Sequence, residues 1–365
     1  MNYIDQQKMK QVNAAHILHL IRENEGLTRR QLEAISNMSW GAISKITSIL
    51  IDDGYVLEEK KEAQGLGRTP TGLFLNPNEH FSIGMDINRS GMRAVLVNLK
   101  NEIIKSFFKP VGSVSYPEFL EDIKQLAVRT ANAAQGKNIL GVGIAMQGEV
   151  DSQNGISLRF PECDGWRDVP LAKILSDTLG APAFIEHDPN CLMYAYAAQN
   201  GFEDALLIRA DKGIGMAMMA DGKIFDRAGS LEIAHLAVST NDSGAVGRLE
   251  DYASQTGLEN IANKKFDEIA ALAKSGSRSE KELFYKTADR LAFSVANCCT
   301  LMNISKVVLC GDMIDHKELF LEDFSRLCEK YSFSSKKLSF TFTDVRNAAY
   351  GAALISASKM IDKIY

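Results

Sequence analysis

No run of apolar residues in this 365-residue chain approaches the roughly 20 needed for a membrane-crossing helix. The first twenty residues are polar with a helical pattern, so no secretory leader is expected. Cysteine is scarce: the six stand at 163, 191, 298, 299, 310 and 328. None forms a CxxC pair, and adjacent Cys298 and Cys299 would lie on different faces of a helix. A disulfide framework is therefore excluded, and reduced thiols in a cytoplasmic protein are expected. Excess positive charge is missing too, because 41 Lys and Arg face 46 Asp and Glu, a formal net of −5. That argues against indiscriminate nucleic-acid binding but leaves room for a small DNA-reading patch. What is present, 45% hydrophobic and 24% charged residues, is an ordinary globular composition. The length exceeds one ordinary core, so two or three domains are expected.

The first eighty residues carry nine Lys/Arg against ten Asp/Glu, a net of −1, so any DNA contact must work by placement. Lys10–Asn24 repeats apolar residues at a helical period, with Val12, Ala15, Ile17, Leu18 and Ile21 on one side. Thr28 with Gln31 forms a capping box that opens a second helix through Ile35. Ser39 caps a third, running to Asp53. Two short helices joined by a tight turn make a helix-turn-helix pattern. On the third helix Ile43, Ile46 and Leu50 point inward, whereas Trp40, Gly41, Ser44, Lys45 and Ser48 point outward. That small, polar, singly basic face suits a DNA major groove. Tyr55–Glu59 and Leu73–Leu75 alternate like strands flanking a Gly-rich wing, in which Arg68 could enter a narrow minor groove. The candidate DNA contacts are Arg29, Arg30, Ser39, Trp40, Ser44, Lys45 and Arg68. Exposed Trp40 would equally serve a protein-interaction head.

Asn76–Glu79 is a short joint. Beyond it, strands at Phe81–Asp86, Arg93–Asn98 and Ile139–Ala145, with a helix over Tyr116–Ala134, read as α/β. The pattern recurs after Asp188, with strands at Ala205–Arg209, Gly215–Met219 and Lys306–Leu309. Helices are expected over 259–275 and 279–303, and Asn347–Ile364 closes the chain. Domains are therefore expected at 1–76 and 80–186, the latter closed by a helix over 347–365, and at 187–346. A cleft between two lobes is expected, with Asp188 at their junction. Asp188 follows the apolar strand end Ala183-Phe184-Ile185, where ligands of α/β sheets bind. It either accepts from a ligand hydroxyl or caps the helix that follows.

Several of these pieces together resemble one family. Ile83-Gly84-Met85-Asp86-Ile87 with Ser90 resembles the first phosphate loop of sugar kinases in the actin-like ATPase fold. Glu186-His187-Asp188-Pro189-Asn190 resembles their catalytic Glu-Asn-Asp-Ala-Asn segment. Gly213-Ile214-Gly215 with Asp221-Gly222-Lys223 resembles the second phosphate loop and its hairpin. Ser230-Leu231-Glu232-Ile233-Ala234-His235 stands where the family has Ala-Gly-Glu-Ile-Gly-His. Gly244, Gly247, Leu249-Glu250 and Tyr252-Ala253-Ser254 match its Cys-x-Cys-Gly-x-x-Gly-Cys-Leu-Glu run. The family is ROK (repressors, open reading frames and sugar kinases), and the resemblance covers about 80–355. The attached winged helix-turn-helix is similar to that of the xylose-type repressor branch.

The resemblance implies a two-lobed actin-like domain that holds a sugar through His187, Asp188, Glu232, His235 and Glu250. Glu162 stands where the family often has a sugar-contacting Asn. Carboxylates and imidazoles suit a polyol, since they accept from or donate to neighbouring hydroxyls. The family's structural zinc is expected to be lost, because Asn241, Ser243 and Arg248 replace three Cys ligands and leave His235 alone. Nucleotide binding is expected to be eroded. Asn88-Arg89 replaces Gly-Gly, Asp211-Lys212-Gly213 replaces Gly-Thr-Gly, and Cys310-Gly311-Asp312 replaces a Gly-rich turn. Asp188 then remains as a vestigial base, and no catalytic residue is expected. The reading is a sugar-responsive repressor binding operator DNA as a homo-oligomer, a dimer or tetramer. The rivals are an ATP-dependent sugar kinase with an appended winged helix, and a regulator answering to a protein partner.

Overall fold

A computed structural model describes residues 6–60, 71–88, 90–110, 115–225, 231–239, 245–333 and 336–364. Two compact units divide the chain, one of residues 1–186 with 348–365 and one of 187–347. In chain order the first unit contains α1 (Gln6–Glu23), α2 (Arg29–Ser36), α3 (Trp40–Asp52), β1 (Val56–Lys60), β2 (Thr71–Leu75), β3 (His80–Asn88), β4 (Gly91–Asn98), β5 (Ile103–Lys109), α4 (Tyr116–Asn132), β6 (Asn138–Met146), β7 (Glu149–Asp151), β8 (Ile156–Arg159), β9 (Arg167–Val169), α5 (Leu171–Leu179) and β10 (Ala183–His187), whose last residue begins the second unit. The second unit continues with α6 (Asp188–Asn200), β11 (Ala205–Ala210), β12 (Ile214–Ala220), β13 (Lys223–Ile224), β14 (Ala237–Ser239), β15 (Val246–Arg248), α7 (Glu250–Ala253), α8 (Gln255–Ala262), α9 (Phe266–Lys274), α10 (Arg278–Met302), β16 (Lys306–Cys310), α11 (Leu321–Tyr331) and β17 (Ser339–Phe342). The closing helix α12 (Ala348–Ile361) returns to the first unit.

The amino-terminal head is built from local signals. Thr28 Oγ1 accepts the Gln31 N–H at 3.3 Å while Gln31 Oε1 accepts from the Thr28 N–H at 2.9 Å, so the capping box forms. Ser39 caps α3 by accepting from the Ala42 N–H at 3.4 Å. Ile43 and Leu50 of α3 are fully buried. Ile46 is half-buried and packs against the same core, which Thr47 also enters, its hydroxyl satisfied by the Ile43 carbonyl at 2.8 Å. β1 and β2 pair antiparallel from Val56 opposite Leu75 to Lys60 opposite Thr71, and Leu27 bridges to Leu73. These elements form a winged helix-turn-helix. The wing itself, residues 61–70 with Arg68, lies outside the described residues.

The head expected at 1–76 packs directly against the first lobe. Ile17, Leu18, Ile21, Leu32 and Leu73 share one apolar core with Leu99, Leu140, Ile361 and Ile364 from the lobe. The joint is equally filled. Tyr55 stacks on His80 with ring centroids 4.0 Å apart. His80 Nε2–H donates to the Asp53 carbonyl at 2.8 Å, and Nδ1 accepts from the Asn138 amide at 2.9 Å. Burial holds the His80 imidazole below its ordinary pKa, which suits this neutral tautomer. Lys137–Glu79 at 2.6 Å and Lys100–Glu25 at 3.0 Å flank the contact. A shared core cannot part without exposing apolar surface, which holds the head against its lobe.

The lobe of this unit holds a five-stranded sheet ordered β10-β6-β3-β4-β5. β3 and β4 run antiparallel, as do β4 and β5, while β3 and β6 run parallel. Alternation along β3 sends Ile83, Met85 and Ile87 into a core with Phe119 and Ile123 of α4. On the opposite face glycines leave room for a helix to approach. A Cβ at Gly84 would lie 1.8 Å from the Ala349 carbonyl oxygen, and one at Gly143 1.9 Å from that of Ala352. α12 therefore rests directly on the strand backbones.

The second unit repeats the arrangement with the order β13-β12-β11-β16-β17. β13, β12 and β11 are successive antiparallel neighbours, and β11, β16 and β17 are parallel. Its core joins Leu206, Ile208, Leu291, Val295 and Phe324. The single helix expected over 259–275 is broken, because Asn263 takes the left-handed conformation at φ 51° and ends α8. Asn tolerates that region where most residues do not.

Candidate effector site and DNA-reading face

On the head, α3 presents Trp40, Gly41, Lys45 and Ser48 exposed and Ser44 half-buried. Arg30 is exposed with its guanidinium 5.9 Å from the Trp40 ring centroid. Arg30 and Trp40 thus form a cationic and aromatic pair at the start of α3, and Lys45 is exposed further along the same helix. Ser39 is exposed but is engaged as the helix cap. Arg29 is engaged within the head. Its Nε donates to Thr47 Oγ1 at 2.8 Å and its Nη1 bonds Glu58 Oε1. Those contacts brace α2 and β1 against α3, so Arg29 is a strut of the head. Arg68 lies outside the described residues.

In the second unit the candidate effector residues gather around the turn between β11 and β12. β10 delivers His187 and Asp188, both buried, with His187 Nε2 3.6 Å from Asp188 Oδ1. No side-chain cap bond is made to α6 by His187, and Asp188 is already its first residue, so the helix-cap alternative is not the role taken. Asp188 Oδ2 instead accepts from Arg209 Nη1, and Arg209 Nε donates to Asp211 Oδ2 at 2.6 Å. Asp211 Oδ1 in turn accepts the Asp312 N–H at 2.5 Å. A Cβ at Gly215 would lie 2.7 Å from the Pro189 ring, so β12 packs against the start of α6.

Glu250 opens α7, and a Cβ at Gly213 would lie 3.6 Å from its Oε2. Leu231 bridges to Met216 of β12, which sets the neighbouring Glu232 beside the same hairpin. Glu232 and His235 are exposed, with Oε2 and Nδ1 4.0 Å apart. Sequence reading thus named residues that the fold places around one hairpin, except for Glu162. That residue is half-buried in the first unit, on a loop pinned by Trp166, whose Nε1–H donates to Ser157 at 2.8 Å.

Arg209 was missed by sequence reading. The available signal was a lone charged residue at the end of the otherwise apolar strand Ala205–Ala210. Around it, burial and the neighbouring Asp211 push the Asp312 carboxyl up, while Arg346 pulls the other way. Arg346 Nη1 lies 3.0 Å from Asp312 Oδ1. Burial raises the Cys310 thiol to about 12, which makes it an inert core residue. Among the described residues no group of three or more His, Cys, Asp or Glu side chains could hold a metal. Asn241 and Ser243 lie outside the described residues. Arg248 lies 3.3 Å from Glu250 and 2.8 Å from Asp251, and the Asp251 hydrogen bonds raise its pKa.

Two α/β units with the same strand order, carboxylates at the strand ends and a winged helix on the first define a helix-turn-helix protein on a sugar-kinase-like scaffold. The chain belongs to the ROK family, whose profile matches residues 82–363. It is 25% identical over 360 residues to the xylose repressor of Caldicellulosiruptor bescii, covering 89% of each chain. Among solved structures it resembles a ROK family transcriptional regulator, a homologue of the E. coli MLC protein. That match has TM-score 0.84 and 21% identity over 98% of each chain. The ROK hexokinase of Thermus thermophilus matches at TM-score 0.65 and 21% identity, over 77% of this chain and 99% of that one.

Proposed function

We propose that the protein is a cytoplasmic, sugar-responsive transcriptional repressor of carbohydrate-metabolism genes. It reads operator DNA with α3 and takes a sugar on His187, Asp188, Glu232, His235 and Glu250. The observation that carries this reading is the exposed Arg30–Trp40 pair with exposed Lys45 on α3, a helix whose Ile43 and Leu50 lie in a core shared with the lobe. A head fused in that way transmits any tilt of its lobe directly to DNA. The similarity to a xylose repressor supports the same reading. One head makes few base contacts, so a homo-oligomer binding paired half-sites is part of the proposal.

Phosphotransfer is not part of it, although the hexokinase shares the fold. In this reading Asp211 occupies a segment where glycines would admit phosphate oxygens, and its carboxylate repels them. The Asp312 N–H is already taken by Asp211. No zinc is proposed either, since Arg248 sets a fixed positive charge beside Glu250. Selecting bound DNA from a random pool, then titrating pentoses and hexoses into that complex, tests the function. Failure to enrich any sequence would refute it. ATP-dependent phosphorylation of a hexose, abolished by Asp188→Asn, would establish the kinase rival instead.

A further inference from the structure

We infer that Arg209 is the positioning residue of the effector site and restricts it to neutral sugars, an inference that rests on the function proposed above. Three segments of the second unit each bring a carboxylate: Asp188 at the start of α6, Asp211 after β11 and Asp312 after β16, the strand paired with β11. Crowded carboxylates repel unless a cation lies between them. Arg209 supplies it, with Nη1 on Asp188 Oδ2 and Nε on Asp211 Oδ2 at 2.6 Å. The chain of bonds continues from Asp211 Oδ1 to the Asp312 N–H at 2.5 Å. From Asp312 it runs to Arg346, which also holds Asp315 with Nη1–Oδ2 at 3.0 Å and Nη2–Oδ1 at 2.5 Å.

The relevant side chains are largely shielded, at 4% exposure for Asp188, 23% for Arg209 and 16% for Asp211. A planar guanidinium fixes two carboxylates at a set angle, which a lysine ammonium does not. Asp188 Oδ2 is thereby held, and Oδ1, 3.6 Å from His187 Nε2, is the oxygen left to accept a sugar hydroxyl. Four carboxylates (Asp188, Asp211, Asp312, Asp315) meet two guanidinium groups (Arg209, Arg346) in this network. Its net negative charge favours a neutral polyol and disfavours a sugar phosphate or a nucleotide.

The test compares full-length wild type, Arg209→Lys and Arg209→Met. D-xylose, D-glucose and glucose 6-phosphate are titrated against the protein bound to its selected operator. The neutral sugar that acts on wild type should need about tenfold more to act on Arg209→Met, the loss expected when one charge-assisted hydrogen bond is misplaced. Arg209→Lys should fall between, operator affinity without sugar should stay unchanged, and glucose 6-phosphate should have no effect. Equal sugar sensitivity in Arg209→Met, an equal loss of sugar-free operator affinity, or a response to the phosphate would overturn the inference. Amide hydrogen exchange of 211–213 and 312–315 decides the point independently of any sugar. Faster exchange in Arg209→Met is expected, and unchanged exchange sinks the tie. A wild type that ignores both neutral sugars would count against the proposed function, while the exchange result would still judge Arg209.

Discussion

Replacing Gly84 by alanine tests the packing that joins the lobe to the head. The added Cβ would lie 1.8 Å from the Ala349 carbonyl oxygen and 2.7 Å from the Ala353 nitrogen. Unstrained contacts of this kind sit near 3.5 Å, so α12 must retreat by roughly 1.5 Å. Both opposing atoms are helix backbone, and no rotamer change can relieve the overlap. The cost should therefore reach or exceed the upper end of the about 1–3 kcal/mol typical of overpacking. That is a large part of the 5–15 kcal/mol that holds an ordinary domain. Because Ile361 at the end of α12 lies in the head core, the shift should also weaken operator binding. Gly213→Ala, in the turn between β11 and β12 of the second unit, is the control. Its Cβ would meet only Glu250 Oε2, at an ordinary 3.6 Å, and stability should change by less than about 0.5 kcal/mol. Urea unfolding followed by the fluorescence of buried Trp166 reads the first unit, and guanidine-free thermal melts of both variants check the order. A Gly84→Ala protein as stable as wild type would refute the packing argument, as would a Gly213→Ala protein equally damaged.

Three further outcomes are expected. Lys45→Ala should weaken operator binding about tenfold and lower the salt dependence by about one ion, whereas Arg29→Ala should cost about 1 kcal/mol of head stability through its lost Glu58 and Thr47 contacts; filter binding across salt and a melt separate the two. The His80 pKa is lowered in the fold, so the unfolded chain binds the proton better and the joint should loosen as pH falls below about 6.5. Hydrogen exchange of 53–56 and 80–82 between pH 7.5 and 5.5 checks this, and His80→Gln should flatten the dependence. Glu280 is held down to about 2 by hydrogen bonds from Lys264, Ser277 and Ser279. Its stabilising effect is complete above its ordinary carboxylate range and disappears as pH falls towards 2. Acid unfolding of Glu280→Gln should accordingly begin at higher pH than that of wild type.

The elements that could be read from the chain were those governed by neighbours three or four residues away. Thr28 and Gln31, Ser39 and Ala42, and the apolar stripe of α3 all settle their positions locally. The short strands β7, β8 and β9 and the edge strand β5 were not legible, since a few residues carry too little periodicity to separate strand from loop. Thr47 joined the inward face beside Ile43, Ile46 and Leu50 without being anticipated, because a threonine can satisfy its hydroxyl on its own helix and then enter a core.

Composition, capping residues and ordered motifs by themselves determined the helix-turn-helix and the doubled α/β scaffold, because each depends on residue chemistry at short spacing, while the proposed effector carboxylates came from the family resemblance. Only the tertiary structure decided that the head shares a core with Leu99, Leu140 and Ile361, that Gly84 is required by a helix 265 residues further along, and that Arg209 joins Asp188, Asp211 and thereby Asp312. The reason is physical: an interior contact is chosen by whichever surfaces the fold brings together, and no local pattern records the partner.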